Sequence, residues 1–321
     1  MTSDLSARDA ARGPSGSGIA YTVGAYLLWG MLPLYFVALV PTGPWEVVAW
    51  RVLLSFVFCL ILLTVTRGWS ALGAIIRDPR LLGWTAVAGV LIYVNWQVFV
   101  IGTLSDRVIE TSLGYFINPI FTVVLGVVVL RERIRRLQWA AVATAAVAVI
   151  VIIVAYGSFP WIAISLTASF GLYGLVKKRI GAAVDAVSGL TLESFWLIPI
   201  AVVTLVIVGQ TDAGITFGAV SPLHTALVAG AGIATAVPLL LFAAGTRRID
   251  LSLVGMLQFI TPIMQFLVGW ALLGEPMPVE RWIGFALVWI AIIVFVVDLL
   301  RQRQIVKGPR SNTSRRVHPT P

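Results

Sequence analysis

The sequence predicts an all-α integral membrane protein of ten transmembrane helices arranged as two inverted five-helix repeats. Three observations carry that prediction: too little charge to clothe a water-facing surface, ten apolar runs long enough to cross a bilayer, and a series of residues that recurs at one offset between the two halves. Of the 321 residues, 59% are apolar and only 12% are charged, about half the charged fraction of an ordinary soluble domain. Mean hydropathy is +0.96. Most of the surface must therefore face lipid.

A helix needs about 20 apolar residues to span the hydrocarbon core. Ten stretches meet that need, at residues 18–40, 46–66, 82–103, 108–130, 137–155, 160–177, 187–208, 223–245, 251–273 and 279–299. Connections between them are short and leave no room for a soluble domain. The chain divides into a polar tail (1–17), a first repeat (18–156), a second repeat (157–300) and a basic tail (301–321). The N-terminal tail lacks an apolar core and reads as disordered, not as a signal peptide. The basic tail, rich in Pro and Ser, reads the same way. Cys59, the single cysteine, lies in an apolar run and says nothing of redox compartment.

The net charge of +9 does not point to nucleic acid, because the basic residues sit in clusters between apolar runs. With the N-terminus placed in the cytoplasm, twenty basic residues fall on the cytoplasmic side, and only Arg107 and Arg281 on the other. The positive-inside rule then puts both termini in the cytoplasm of an inner (plasma) membrane. Trp45, Trp69, Trp84, Trp139, Trp161 and Trp282 lie near span ends and suit an interfacial aromatic belt.

The two halves align without a gap at an offset of 143 residues over the third to fifth spans. Gly89 matches Gly232, Gly102-Thr103 matches Gly245-Thr246, Pro119 matches Pro262, Gly126 matches Gly269, Glu132 matches Glu275 and Trp139 matches Trp282. Five helices per copy force the second copy to enter the membrane the other way up. The charges agree: segment 131–136 is basic, whereas its counterpart 274–280 carries no basic residue. Inverted repeats are the usual construction of secondary transporters, and paired helix interruptions mark their pathways. Pro119 and Pro262 each sit mid-span, free a backbone carbonyl, and have polar neighbours: Tyr115 and Asn118 in one copy, Gln258, Thr261 and Gln265 in the other.

The frame with Pro119…Glu132 and Pro262…Glu275 resembles the EamA-type drug/metabolite transporter superfamily. Further strings resemble its RarD branch, the chloramphenicol-sensitive protein family. These are Ala25-Tyr26 with Trp29-Gly30 and Pro33, Glu46 followed by Trp50-Arg51, Asn95-Trp96, Ser112 through Pro119, Tyr173-Gly174-Leu175-Val176, and Glu193 with Trp196-Leu197-Ile198-Pro199. The resemblance implies a ten-helix permease whose central cavity is lined by helices one to four and six to nine, with helices five and ten peripheral. It also implies export as the direction. A homodimer through helices five and ten is plausible, since Ala140, Ala141, Ala143, Ala145, Ala146 and Ala148 permit close contact.

Ionisable groups within a span cost about 2.5–3.5 kcal/mol on insertion scales, so those present need a partner or a wet cavity. Arg51 lies roughly 8–10 Å inside the outer end of the second span and calls for an anionic partner. Glu46 and Glu110, both on the external half, are the candidates. Either Arg51 locks helices in a buried ion pair or it is a cation presented to substrate. Glu193 sits at similar depth from the cytoplasmic side, one residue from the repeat counterpart of Arg51. It reads as a coupling carboxylate or as the partner of Lys177 or Lys178. Asn95 and Gln97 point to different faces of the third span; Asn95 is taken to face the cavity, and Trp96 to stack on substrate. Trp29, Trp50 and Trp196 are deep aromatics that suit packing. Glu132 and Glu275 read as structural.

An intramembrane enzyme lacks parts: there is no HExxH or GxSxG motif, no aspartate well inside a span, and only His224 and His318. No metal site or cofactor motif is present, and no nucleotide loop. The expectation is a secondary carrier, and export as its direction follows from resemblance alone. It would move a small amphipathic metabolite or drug-like solute by alternating access. Substrate-binding candidates are Arg51, Asn95, Trp96, Tyr115, Asn118 and Gln258; ion- or proton-coupling candidates are Glu193, Glu110 and Glu46. The alternative is a passive channel, or a lipid or solute facilitator with no gradient coupling.

Overall fold

The structure, a computed structural model, describes residues 16–131, 136–156, 159–180, 183–246, 248–249 and 251–307. Among them there is no strand, and helix occupies every one of the ten apolar runs. In chain order the helices are α1 (Gly16–Val37), α2 (Pro44–Val65), α3 (Trp69–Ile76), α4 (Pro79–Leu104), α5 (Val108–Leu130), α6 (Arg136–Tyr156), α7 (Trp161–Ile180), α8 (Ala186–Gly209), α9 (Pro222–Ala229), α10 (Ala231–Thr246), α11 (Leu251–Leu257) and α12 (Ile260–Leu267). A π-helical turn (Val268–Leu272) follows α12, and α13 (Val279–Lys307) closes the order.

Seven helical segments among the described residues are long and apolar enough to cross a membrane: α1, α2, α4, α5, α8, α9 with α10, and α13. The stretches 136–151 and 260–272 are shorter apolar helices, and α7 ends on Lys177, Lys178 and Arg179. Three expectations are corrected. The second-to-third connection contains the helix α3. The eighth span is broken at Gly230, and the ninth at Gln258–Phe259 and again at the π turn, so these are not uninterrupted helices. The C-terminal helix runs to Lys307, past the expected end at 300.

Local chemistry explains the starts. Asp78 and Asp185 are N-caps whose carboxylates accept from Arg80 and Leu81 and from Val187 and Ser188. The Ser221 hydroxyl accepts from the His224 amide. Pro44, Pro79 and Pro222 follow their caps, where a missing N–H costs nothing. The carboxylate capping α5 comes from far away in sequence: Glu275 accepts from the amides of Val108 and Ile109.

The polarity is that of a lipid-facing bundle. Val57, Ile61, Val203, Val206 and Ile207 are each more than half exposed, whereas Arg51, Asn95 and Glu193 are buried. Helix α6 shows how one stripe divides: Ala141, Ala145 and Ala148 are buried in the packing of α6 and α13, while Ala140, Ala143 and Ala146 face outward. Half of the small residues proposed for a dimer contact are thus already used within the chain. Trp45, Trp69, Trp139 and Trp161 are exposed as a belt requires. Trp282 instead packs in a cluster with Phe266, Trp270 and Trp289.

Candidate functional site

Three polar centres lie inside the bundle among the described residues; the first and third join residues from both halves of the chain, and the second lies within the second half. The first is built on Arg51, 4% exposed. Its Nε donates to Thr235 Oγ1 of α10 at 2.8 Å. Its guanidinium lies 4.2 Å from the Trp96 ring centroid and 5.5 Å from that of Phe36. Tyr35 and Tyr115 are its near neighbours, with their hydroxyls donating to the Leu227 carbonyl and to Asn95. Nη1 is buried without a hydrogen-bond acceptor. The expected acidic partner is not there. Glu46 and Glu110 both point elsewhere, so the guanidinium rests on aromatic faces. A charged hydrogen bond and a desolvated cation–π contact are each worth about 2 kcal/mol. Several kcal/mol of desolvation stand against them, and one edge of the cation remains unserved.

Trp96 is 8% exposed, and the Arg51 guanidinium lies over one face of its ring. Asn95 is also buried. Its Nδ2 lies 3.3 Å from both the Leu166 carbonyl and Ser169 Oγ of α7, and its Oδ1 accepts from Tyr115 at 3.0 Å. Gln97 is buried too, and both its side-chain polar atoms lack partners. The 200° separation did not send one of the pair to lipid, because the exposed stripe of α4 runs through Val87, Val90 and Val94 and the rest of the helix is packed by α2, α7 and α8. Asn118 is buried with Oδ1 unpartnered, and Gln258 is half-buried at the break after α11.

The second centre is the ion pair of Glu193 with Lys177, 2.8 Å apart, with Tyr173 donating to the other carboxylate oxygen at 3.1 Å. Of the two readings of Glu193, the lysine partnership is the one the geometry contains. Rings at 5.8–6.0 Å spacing run from Phe36 through Phe99, Tyr115 and Phe170 to Tyr173. The two charged centres are therefore joined by a continuous aromatic ladder, whose middle rung, Tyr115, is bonded to Asn95.

The third centre is a strap at the start of α2. Glu46 accepts from the amides of Thr216 (2.9 Å) and Phe217 (3.0 Å), from Thr216 Oγ1 (3.0 Å) and from Trp50 Nε1 (3.2 Å). The Trp50 and Phe217 rings are 4.6 Å apart. Thr42 bonds both Thr216 and His224. The α8–α9 connection is thereby tied across the mouth of the bundle. Removing the carboxylate with Glu46→Ala is expected to raise amide hydrogen exchange at Thr216 and Phe217 by roughly 10- to 100-fold, since hydrogen bonds to a charged group contribute about 1.5–3 kcal/mol. Unchanged exchange would show that the strap holds without it.

Glu110 pairs with Arg107 and accepts from the Ile162 amide, tying α5 to α7. The two prolines differ in effect: α5 passes Pro119 unbroken, whereas Pro262 lies in the first turn of α12, just past a break. There Thr261 donates to the Tyr26 carbonyl at 2.9 Å and Gln265 to that of Trp29 at 3.4 Å, pinning α12 to α1. Glu132 lies outside the described residues.

Glu275 acts as the structural residue it was taken for. Burial holds its carboxyl above the ordinary carboxylate range, outweighing the Ile109 and Val108 amides that pull it down. The folded state therefore favours the protonated form, so this group's contribution falls as pH rises from below the ordinary carboxylate value through the raised one. Glu275→Gln is expected to flatten that part of the stability–pH curve, read by thermal unfolding in detergent. Glu275→Ala, which deletes the cap, should cost about 1–2 kcal/mol at any pH.

At the opposite end of the bundle from the strap, a cavity of about 550 Å³ lies between the start of α8 and the end of α10. It is lined by Asp185, Ala186, Val187, Leu240, Ala243, Ala244 and Arg248. It does not reach Arg51.

Comparison with known proteins gives this architecture a family. The profile of the EamA-like transporter family matches residues 16–154. The chain is 39% identical to Protein RarD of Streptomyces exfoliatus over 89% of its own length and 90% of the relative's. It is 38% identical to Protein RarD of Escherichia coli, over 88% and 95%. It is 37% identical to an uncharacterized transporter, YojE, of Bacillus subtilis, over 91% and 97%. A crystal structure at 18% identity superposes with a TM-score of 0.59 over 90% of this chain and all of the other, a likeness of fold. Length, identity and coverage agree: this chain is a multi-pass membrane protein and belongs to the RarD family of EamA-like transporters.

Proposed function

We propose that the protein is a secondary carrier of the inner membrane, with both termini cytoplasmic. Two inverted five-helix repeats would rock about the Arg51–Asn95 centre to export a small amphipathic solute. The observation that carries the reading is that this centre is made jointly: Arg51 of one half bonds Thr235 of the other, and Asn95 bonds Leu166 and Ser169. A site shared between halves is re-formed or broken when they move, which alternating access requires.

The packing supports the repeat. Exchange α1, α2, α4, α5 and α6 for α7, α8, α9–α10, α11–α12 and α13. Under that exchange the contact of α4 with α7 becomes that of α10 with α1, α2 with α10 becomes α8 with α4, and α5 with α7 becomes α12 with α1. The pairs α2–α8, α5–α12 and α6–α13 map onto themselves, and all of these contacts are present. Inversion is supported where α2 meets α8. The Phe56 and Phe195 rings are 6.2 Å apart, and Cys59, one turn further along α2, reaches Thr191, one turn back along α8. The two helices thus run antiparallel.

Access is asymmetric. The end bearing Arg107 and Arg281 is strapped shut at Glu46, while the end bearing Lys177–Arg179 holds the 550 Å³ cavity. An inward-facing state fits both.

The test is solute exchange in proteoliposomes with a metabolite library, comparing wild type with Arg51→Ala and Glu193→Gln. Saturable counterflow by wild type, and at least a tenfold loss in the Arg51 variant, are expected. Altered pH dependence is expected in the Glu193 variant. Normal rates with unchanged pH dependence in both would remove the site assignment, and non-saturating flux or single-channel currents would replace the carrier with a channel.

A further inference from the structure

We propose that the Arg51 centre takes an amphipathic monoanion, a single carboxylate on an aromatic or branched aliphatic body. The inference rests on the carrier reading above and names its substrate class.

Charge accounting comes first. The acids within reach of the core are committed: Glu46 to the strap, Glu110 to Arg107 and the Ile162 amide, and Glu193 to Lys177 and Tyr173. Arg51 forms no ion pair with any of them. Its Nε is taken by Thr235, and Nη1 is buried and unpartnered. A carboxylate oxygen accepting from the Nη edge would supply both the missing acceptor and the missing charge in one step, the pairing for which a guanidinium fork is shaped.

The surroundings choose the rest of the molecule. Phe36 and Trp96 face the guanidinium and Phe99 and Tyr115 extend that aromatic wall, which suits a planar or branched apolar body. A second negative charge would find no second cation, because Lys177 is neutralised by Glu193. An ammonium group would find no uncommitted carboxylate and would sit beside Arg51. Dianions, amines and zwitterionic amino acids are thereby disfavoured for one shared reason: the site offers one unit of positive charge and nothing to balance any other. The competing reading is that Arg51 only staples α2 to α4 and α10 through Trp96 and Thr235, in which case no charge preference follows.

The experiment is competition binding to the full chain in lipid nanodiscs, with radiolabelled phenylacetate displaced by near-isosteres. These are phenylethylamine (cation), phenylalanine (zwitterion), 2-phenylethanol (neutral) and phenylmalonate (dianion). The proposal expects phenylacetate to bind at least tenfold more tightly than any of them. It also expects Arg51→Gln to lose at least tenfold in that affinity, with Arg51→Lys recovering part of it. Equal binding of the neutral or zwitterionic compound, no binding by phenylacetate, or undiminished affinity in Arg51→Gln would each overturn it. Should Arg51→Gln fail to fold, the ligand series on wild type decides alone. The carrier reading is judged separately by counterflow. Phenylacetate bound but never exchanged would sink the carrier and leave the anion site. Saturable exchange of neutral or cationic solutes unaffected by Arg51→Gln would do the reverse.

Discussion

Gly232→Ala is expected to destabilise the protein by on the order of 3 kcal/mol, although alanine is the better helix former by about 1 kcal/mol. Gly232 faces the backbone of α2, and a Cβ there would lie 2.5 Å from the Leu54 carbonyl oxygen and 2.6 Å from its carbon. No rotamer change relieves a clash with main chain, so α10 and α2 must separate along their contact. The matched glycine, Gly89, meets the Glu193 carbonyl oxygen at 3.0 Å. Its alanine variant should be destabilised in the same direction but less. Gly174, also helical, has nothing within 4 Å, so Gly174→Ala should stabilise by roughly 0.5–1 kcal/mol. Reversible unfolding in mixed micelles reads all three. If Gly232→Ala matched Gly174→Ala, the close α2–α10 approach would be refuted.

Lys177→Met carries the second large effect, about 3 kcal/mol of lost stability. Glu193 is 1% exposed at its side chain and Lys177 30%. The lysine can reach water when its partner is removed, but the glutamate cannot. The asymmetry predicts that Lys177→Met costs more than Glu193→Gln, and that the double variant recovers most of the loss because no uncompensated charge remains. A double-mutant cycle on the same unfolding assay measures this, and additive losses would mean that the pair is not coupled. Tyr173 keeps its rung on the aromatic ladder in every variant, so the cycle isolates the charge.

The helices were largely legible in the sequence because lipid imposes one rule on every residue of a span. Length and apolarity place α1, α2, α4, α5, α6, α7 and α8 within a few residues of their ends. The rule does not register a break whose freed backbone groups are met inside the bundle, so the interruptions at Gly230 and Gln258–Phe259 went unread. Helix α3 is apolar but too short to cross, and it finds its place by packing Leu72 and Ile75 against Ile180, Val184 and Leu192.

The site was half legible. Arg51, Asn95, Trp96, Tyr115 and Glu193 all lie at helix contacts inside the bundle, as their cost in hydrocarbon implies. Their partners were not readable. The gapless offset of 143 sets Glu193 beside the counterpart of Arg51. In the packing, Gly89 meets Glu193 where Gly232 meets Leu54. That matches Leu54-Ser55-Phe56 to Glu193-Ser194-Phe195, an offset of 139. Helix α8 runs further past Glu193 than α2 runs past Leu54 and absorbs the difference, so Arg51 and Glu193 are not equivalent. Thr235, Tyr35, Thr216 and Phe217, which complete the polar centres, carry no sequence signal beyond being Thr, Tyr or Phe.

Sequence alone determined that this chain lives in a membrane, where its helices run, and that a few charged side chains must be sheltered, because hydropathy and desolvation act residue by residue. Which group shelters which was decided by the tertiary structure. Nearly 200 residues separate Arg51 from Thr235, and 170 separate Glu46 from Thr216. Pairing across such distances depends on helix rotation and on close approach at single glycines, neither of which is written in local composition.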